Sequence, residues 1–364
     1  MIDKLCFTKE WLESVKQEHP QWSINPPLWE KMIYALSLVE LLAQYDLNFI
    51  FKGGTSLVLL LDTPKRFSID IDIITQESQK KIETVLTQIC EANHFSSWIL
   101  DEERSYNQEI PKAHYELSFD ARENRNAYIL LDILFEKNPY PVTNPCTIDP
   151  NWLKVEPPLT PVQLPSIEAI TGDKLTAFAP KTIGIQYSFL TEKGIDKSTE
   201  IIKQLFDIGQ LFDKIKDFED VASAFRRIEE KERTYRSSMR DKTIDMVFDD
   251  ILETCFMIAK FDDKDKSPEM EEIKKGINSF RSWALAPFRK DQVQEAVGKV
   301  AYLILKIKNQ DTNAPSVFHE SLNKSDYLIP NDSKYNYLNK KLKNIPNGAL
   351  FYWFQVVKIL EAQP

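Results

Sequence analysis

The segment from Phe67 to Ile73 constrains the fold of this chain more than any other, because its apolar and polar residues alternate strictly. Strict alternation is typical of a β-strand, in which successive side chains point to opposite faces of a sheet. The isoleucines of the segment would attach one face to a core. Asp70 and Asp72 would stand side by side on the other face. The segment therefore predicts a sheet with one strand that carries two neighbouring carboxylates.

The residues around this strand predict an α/β domain. Helical and strand-like patterns follow one another from the start of the chain to Phe135, and this order predicts an α/β domain with a mixed sheet. The predicted elements are a helix from Pro27 to Tyr45, a strand from Asn48 to Phe51, one or two helical turns from Leu57 to Leu61, a strand from Arg66 to Thr75, a helix from Gln76 to Ala92, and strands at Ser97–Leu100, His114–Phe119 and Tyr128–Phe135.

A proline-rich connector between residues 139 and 165 divides the chain of 364 residues, which is long enough for two domains. We place the boundary after residue 160, so that residues 1–160 form the α/β domain and residues 161–364 an all-α C-terminal domain. The predicted helices of the second domain are Ser166–Phe178, Thr199–Ile215, Phe218–Lys231, Lys242–Ala259, Glu269–Leu285, Lys290–Lys308 and Gly348–Ala362.

Three aspartates are candidate metal ligands. Asp70 and Asp72 would repel each other unless a cation lay between them, and Mg²⁺ prefers carboxylate oxygens together with substrate phosphates. Asp132 interrupts the apolar run from Tyr128 to Phe135, where a buried, unpaired carboxylate would be costly. A metal shared by the three would account for them. Solvated aspartates on an edge strand, and a buried Asp132 bonded to backbone or to an arginine, are the structural alternatives.

Gly53 and Gly54 stand where a strand is predicted to run into a helix. Glycines at such a junction let the backbone approach a phosphate, and the start of a helix offers unpaired N–H groups to an anion. Thr55 or Ser56 could cap the helix and also donate to a phosphate oxygen. A plain tight turn with a capping residue is the alternative for this motif taken alone.

The motifs together resemble the AbiEii/AbiGii toxin family of bacterial type IV toxin–antitoxin and phage-defence systems, within the nucleotidyltransferase superfamily. The first motif block consists of Phe51 to Leu57 followed by Arg66 to Asp72. Shorter motifs follow at Gly172-Asp173-Lys174-Leu175 and at Lys203-Gln204-Leu205-Phe206-Asp207. The resemblance spans roughly Phe51 to Phe212.

The resemblance implies further site residues. Arg66 and Ser68 would lie beside the nucleotide, Lys174 would hold the triphosphate in a cleft completed by the helical domain, and Asp207 would belong to the site. From pattern alone, Lys174 interrupts an apolar helix face and needs an anion, which could be a phosphate or a structural carboxylate, or it could reach the surface. Asp207 is equally consistent with a surface pair with Lys203.

Composition limits the partners. The formal net charge of −9 argues against a general nucleic-acid coat protein, although a local patch between Arg226 and Lys242 could meet RNA. That stretch is equally consistent with a solvated helix face crossed by ion pairs. The four cysteines lack metal-ligand spacing and are expected to be free, buried thiols. Without a signal peptide or an apolar span, the protein is expected to be cytoplasmic, with no membrane partner.

We therefore predict a metal-dependent nucleotidyltransferase that uses Mg²⁺ or Mn²⁺ and moves a nucleotide from a nucleoside triphosphate to an acceptor. The resemblance implies a growth-inhibiting toxin neutralised by a cognate antitoxin. Transfer RNA is the first candidate acceptor, a protein hydroxyl the second and a small molecule the third. The alternative is a binding protein of the same fold that has lost transfer activity and sequesters a nucleotide or a partner.

Overall fold

The computed structural model describes residues 1–92, 94–105, 110–122, 127–262, 264–345 and 348–362. The chain forms two compact units. The first comprises Met1–Ser166 and a short returning segment, Ser282–Pro287, and the second comprises Ile167–Arg281 and Phe288–Pro364. The first unit therefore takes in a piece of chain that lies more than a hundred residues beyond its main part.

The first unit contains a sheet of seven strands in the order β3-β4-β5-β2-β1-β7-β6. The pairs β2–β5 and β1–β7 are parallel and the other pairs are antiparallel, so the predicted mixed sheet is confirmed. The strands are β1 (Ile50–Lys52), β2 (Ile71–Thr75), β3 (Phe95–Leu100), β4 (Lys112–Phe119), β5 (Ala127–Phe135), β6 (Thr143–Thr147) and β7 (Pro161–Pro165).

The central helix of this unit, α2, is buried on nearly all sides. Its start is set by Asn25, whose side chain accepts from the backbone N–H of Leu28, and by prolines in the first turn, where no N–H is needed. Helix α2 and the buried faces of the strands form one continuous core. The helices of the unit are α1 (Lys9–Glu18), α2 (Pro26–Gln44), α3 (Gly53–Leu60), α4 (Gln79–Ala92) and α5 (Glu102–Ser105).

The strand predicted from Arg66 to Thr75 begins only at Ile71, so the earlier bound was wrong. Residues just before it bond to the returning segment. The backbone N–H of Phe67 donates to the carbonyl of Trp283 at 2.7 Å, and Arg66 forms an isolated bridge with Ala284. The predicted alternation holds from Asp70 to Ile73, where Ile71 and Ile73 are buried and both aspartates are half-buried. Before that it fails, because Ser68 is buried and Ile69 is only half-buried.

Strands β6 and β7 lie inside the proline-rich connector and were not predicted. Proline cannot donate to a sheet, so it is tolerated on edge strands and at strand ends. Strand β6, with Pro145, is an edge strand, while Pro161 and Pro165 occupy the two ends of β7. The first unit therefore extends past residue 160 to Ser166.

The second unit is helical, and each of its seven predicted helices has a counterpart among the described residues, with the short α12 in addition. The end of the helix predicted from Glu269 to Leu285 was wrong, because the helix stops at Phe280 and Ser282–Pro287 returns to the first unit. Helices α6 and α8 pack closely: a Cβ added at Gly172 would lie 2.7 Å from the backbone nitrogen of Phe225. Each helix among the described residues is too short or too polar to span a bilayer. The helices are α6 (Ile167–Ala177), α7 (Ser198–Phe212), α8 (Phe218–Tyr235), α9 (Ile244–Lys260), α10 (Pro268–Phe280), α11 (Lys290–Lys308), α12 (Tyr337–Leu342) and α13 (Ala349–Glu361).

Candidate active site

The turn between β1 and α3 brings a glycine against an aspartate. Gly53 has a φ of +77°, which favours glycine, and a Cβ at this position would lie only 2.0 Å from Oδ2 of Asp72. Any side chain here would therefore strain the backbone and displace the carboxylate. A plain tight turn would explain the positive φ of Gly53. It would not explain why the space beside Gly53 is filled by the carboxylate of Asp72.

The second glycine faces the segment that precedes β2. A Cβ at Gly54 would lie 2.4 Å from Nη2 of Arg66 and 2.7 Å from Oγ of Ser68. The Arg66 side chain is buried, and its Nη1 donates to the carbonyl of Phe67 at 2.8 Å. Both residues that the resemblance implied therefore lie against the start of α3, where the first backbone N–H groups of a helix attract anions.

The hydroxyl groups after the glycines do not cap α3 as predicted. The N-cap residue is Lys52, which makes no side-chain capping hydrogen bond. Thr55 is fully buried, shares a hydroxyl–hydroxyl hydrogen bond of 2.9 Å with Ser68, and donates to the carbonyl of Asp70. Ser56 donates to the carbonyl of Gly53 at 2.9 Å. These hydroxyls hold the β1–α3 turn against the segment before β2.

Four charged or titratable residues lie in register on one face of the sheet, and we call them the charged row. Asp72 on β2 pairs with Lys52 on β1 and with Asp132 on β5, and Asp132 pairs in turn with His114 on β4. Directly paired residues project to the same face. The charged row therefore places two of the three predicted aspartates on adjacent strands, with Asp70 just before one of them.

Asp132 has partners that explain how a carboxylate is tolerated in an apolar strand. Its Oδ1 lies 2.6 Å from Nδ1 of His114, and its Oδ2 lies 3.5 Å from Nη2 of Arg104. The side chain of Asp132 keeps 27% of its exposure, whereas that of His114 keeps 9%. His114 was not predicted. The alternating apolar residues around it in β4 could have placed it on the polar face, but the register with β5 was needed to pair it with Asp132.

The carboxylates fit a divalent cation that is held jointly with a substrate. Among the described residues, no group of three or more histidine, cysteine or acidic side chains is gathered closely enough to hold a metal ion alone. Mg²⁺ is commonly bound by one or two carboxylates and completed by water and phosphate oxygens. Asp70 and Asp72 have the right donor type and are both half-buried beside the start of α3. The predicted sharing by all three aspartates stays a prediction.

Lys174 and Asp207 belong to the second unit, and there they bind each other. The ammonium of Lys174 lies 2.7 Å from Oδ2 of Asp207, and the side chains keep 5% and 2% of their exposure. Gln204 accepts a further hydrogen bond from Lys174 at 3.3 Å. Of the alternatives for Lys174, the structural carboxylate is observed and the surface position is wrong. The surface position predicted for Asp207 is wrong as well, because Asp207 is buried.

The basic stretch from Arg226 to Lys242 is crossed by ion pairs. Arg233 binds Glu229, and Arg236 binds Glu232, each one helical turn away on α8. Arg226 is directed at a backbone carbonyl, that of Ile307, at 2.9 Å. These three arginines are thus engaged within the second unit, as the helix-face interpretation predicted. All four cysteines of the chain are free thiols, as expected, although only two of them are buried.

The fold and the site define a nucleotidyltransferase-like domain, with a Gly-Gly turn set against aspartates on a mixed sheet, joined to a helical unit. The sequence pattern of the nucleotidyl transferase AbiEii toxin family, of type IV toxin–antitoxin systems, matches residues 37–284. This match covers more than half of the chain, and the protein belongs to that family. Among proteins with curated descriptions, none matches the chain significantly.

Solved structures give low-identity matches. The nucleotidyltransferase toxin MenT4 of Mycobacterium tuberculosis is 12% identical, with 81% of this chain and 98% of that chain covered at a TM-score of 0.47. The JHP933 protein of Helicobacter pylori is 16% identical, with 79% and 96% covered at a TM-score of 0.43. This chain is similar to both.

Proposed function

We propose that this toxin transfers a nucleoside monophosphate from a nucleoside triphosphate to an acceptor hydroxyl, with tRNA as the first candidate acceptor. The observation that carries the proposal is the packing of Gly53 against the Asp72 carboxylate, beside the start of α3. This packing sets an anion-binding helix start next to carboxylates. Phosphates would be repelled by those carboxylates unless a cation were present, so the site is suited to a triphosphate bound together with a metal.

In this proposal each group has one role. Asp70 and Asp72 would hold Mg²⁺ or Mn²⁺, which when bound would supply positive charge against the triphosphate. The backbone N–H groups at the start of α3 and the nearby Arg66 would bind phosphate oxygens. Asp132 would take the proton of the attacking hydroxyl. The hydroxyl oxygen would bond to the α-phosphorus while the bond to the bridging oxygen breaks and pyrophosphate leaves.

The predicted contact of Lys174 with the triphosphate remains part of the proposal. Its charge is already balanced by Asp207, so its contribution to nucleotide affinity is expected to be smaller than that of a lone lysine. A Lys174→Met, Asp207→Leu double variant would remove both charges together. If Lys174 binds the triphosphate, this variant will raise the KM for the nucleotide.

The proposal is tested with α-labelled nucleoside triphosphates, Mg²⁺ and total tRNA, resolved on a gel. Wild-type protein and the exposed control Asp149→Asn are expected to label tRNA, and Asp70→Ala and Asp72→Ala are expected to lose the label while remaining folded. Label in protein instead of RNA would move the acceptor to a polypeptide. Full labelling by either site variant would contradict the proposed roles of the carboxylates.

One observation favours the second candidate, a nucleotide-binding toxin without transfer activity. The described residues gather no group of three metal-binding side chains, so a complete metal site is not built in advance. Thermal shift with each nucleotide, with and without Mg²⁺, would detect binding, and a pyrophosphate-release assay would detect turnover. Mg²⁺-dependent binding without pyrophosphate release from any acceptor tested would favour this candidate over transfer.

A further inference from the structure

His114 is a buried residue that contacts the site but has no role in the function proposed above. It lies on β4, directly opposite Asp132 on β5, and only 7% of it is exposed. Its Nδ1 lies 2.6 Å from Oδ1 of Asp132, a distance expected for a strong hydrogen bond to a carboxylate. Its neighbours Ala113 and Tyr115 are buried on the opposite face of the strand.

The backbone of His114 is held from two sides by the connection between β3 and β4. The N–H of Asp101 donates to the carbonyl of His114 at 2.8 Å, and the N–H of His114 donates to Oγ of Ser105 at 2.8 Å. Asp101 and Ser105 are the residue before α5 and its last residue. The short helix therefore fixes His114 in place, and the imidazole ring has little freedom to leave Asp132.

The two oxygens of Asp132 have different surroundings. Oδ1 is held by the buried imidazole, whereas Oδ2 lies 3.5 Å from Nη2 of Arg104. The Arg104 side chain is 43% exposed and the contact is long, so it constrains Oδ2 far less than His114 constrains Oδ1. The hydrogen bond from His114 thus selects which oxygen of Asp132 is presented to a ligand.

We propose that His114 is a positioning residue of the transfer reaction, whose Nδ1–H holds Oδ1 of Asp132 so that Oδ2 receives the proton of the acceptor hydroxyl. This inference rests on the proposed function. Partners that orient a reacting carboxylate from behind are typically worth about 10- to 100-fold in activity. Because His114 does not touch the nucleotide in this proposal, its loss should lower kcat and leave the KM for the nucleotide nearly unchanged.

Two substitutions distinguish positioning from simple filling of space. The amide nitrogen of asparagine can occupy the place of Nδ1, whereas that of glutamine occupies the place of Nε2. His114→Asn is therefore expected to keep kcat within about threefold, and His114→Gln to lower it about 10- to 100-fold with KM within about twofold. Equal losses in the two variants, or an unchanged kcat in His114→Gln, would overturn the proposal.

His94→Gln is the control for the loss of another histidine of the same unit, one that lies at an exposed position. His94 bonds to Ser37 through Nε2 at 2.9 Å and packs among aromatic rings, so glutamine can replace that bond. This variant is expected to keep kcat even if its melting temperature falls. In an Asp132→Asn background, His114→Gln should cause little further loss, because both residues act through one carboxylate. Fully additive losses would contradict the inference.

A measurement that does not depend on catalysis tests this inference independently of the proposed function. The chain has four histidines, so His114 can be assigned in a two-bond ¹H–¹⁵N spectrum by its absence in His114→Asn. The wild-type ring is expected to be the Nδ1–H tautomer, and an Nε2–H tautomer would overturn the inference. Wild-type protein that transfers nothing to any acceptor would overturn the proposed function, while the tautomer would still report whether the pair forms.

Discussion

Asp72 in the first unit and Asp207 in the second both lie in the motifs on which the resemblance was based, yet their surroundings are opposite. Asp72 is half-buried on a sheet face, next to another carboxylate on the adjacent strand. Asp207 is 2% exposed and is bound to the ammonium of Lys174 at 2.7 Å. The first arrangement sets two carboxylates on neighbouring strands, whereas the second pairs a buried carboxylate with a buried ammonium. The comparison distinguishes Asp72, a carboxylate of the candidate active site, from Asp207, a carboxylate that stabilises the folded second unit.

The largest effect is expected for Asp72→Asn, which tests whether Asp72 acts in the active site. Removing a metal-binding carboxylate should lower transfer activity about 1000-fold or more, since this stabilisation is worth several kcal/mol in the transition state. The free energy of unfolding should change by less than about 1 kcal/mol. Asp72 is half-buried and lies beside another carboxylate, so removing its charge is expected to cost little stability. Initial rates and urea unfolding would measure the two effects. A large fall in the free energy of unfolding would instead show that Asp72 stabilises the fold.

Asp207→Ala tests whether the ion pair with Lys174 stabilises the second unit. It leaves the buried ammonium of Lys174 unpaired, which should lower the free energy of unfolding by about 3–5 kcal/mol. Urea denaturation followed by tryptophan fluorescence would measure the loss. The Lys174→Met, Asp207→Leu double variant removes both charges and should recover most of the stability. If Asp207→Ala lowers the free energy of unfolding by less than about 1 kcal/mol, the ion pair does not stabilise the second unit.

Two glycines with positive φ sharpen the comparison further. Gly53 in the first unit has its Cβ direction filled by Asp72. A Cβ added at Gly194 in the second unit, where φ is +58°, would have no atom of the described residues within 4 Å apart from its chain neighbours. Gly53→Ala should therefore displace the carboxylate and lower activity about 100-fold, an effect expected for a displacement of about 1 Å. Gly194→Ala should cost only the backbone strain, about 1 kcal/mol of stability. Equal activities in the two variants would contradict this account.

A pH-dependent effect is expected for Asp250, a buried aspartate of the second unit to which the described residues offer no cationic partner as close as that of Asp207. Its Oδ2 accepts from the N–H of Lys181 at 2.9 Å and from the hydroxyl of Thr182 at 2.7 Å. Burial nevertheless raises the pKa of Asp250 from 3.8 to about 6. The folded state then binds more protons than the unfolded state, so this group lowers stability as the pH rises from about 4 to about 6.

Asp250→Asn removes that titration. Relative to wild type, the variant should gain about 2–3 kcal/mol between pH 4 and pH 8, as measured by urea unfolding at both pH values. Asp249→Asn, on the exposed side of the same helix, is the matched control and should show no comparable gain. A difference between Asp250→Asn and wild type that does not change with pH would show that Asp250 is not the titrating group.

Much of the fold and of the first-unit site was predictable, because local patterns carry them. The alternation around Asp70 and Asp72 predicted which side chains face the core. The structure places Gly53 against Asp72, and Asp132 in register with Asp72 on the neighbouring strand. The helices of the second unit were predictable from apolar periodicity. The hydroxyl caps were not, because Thr55 and Ser56 bond to other backbone and side-chain groups in preference to the helix start.

The sequence by itself determined periodicity, and through it the strands, the helices and the spacing of the aspartates. Periodicity is a local property, since each side chain direction follows from its neighbours in the chain. Only the tertiary structure decided that His114 binds Asp132, that Lys174 binds Asp207, and that the segment around Trp283 returns to the first unit. These contacts depend on strand register and on packing between distant segments, which no local pattern specifies.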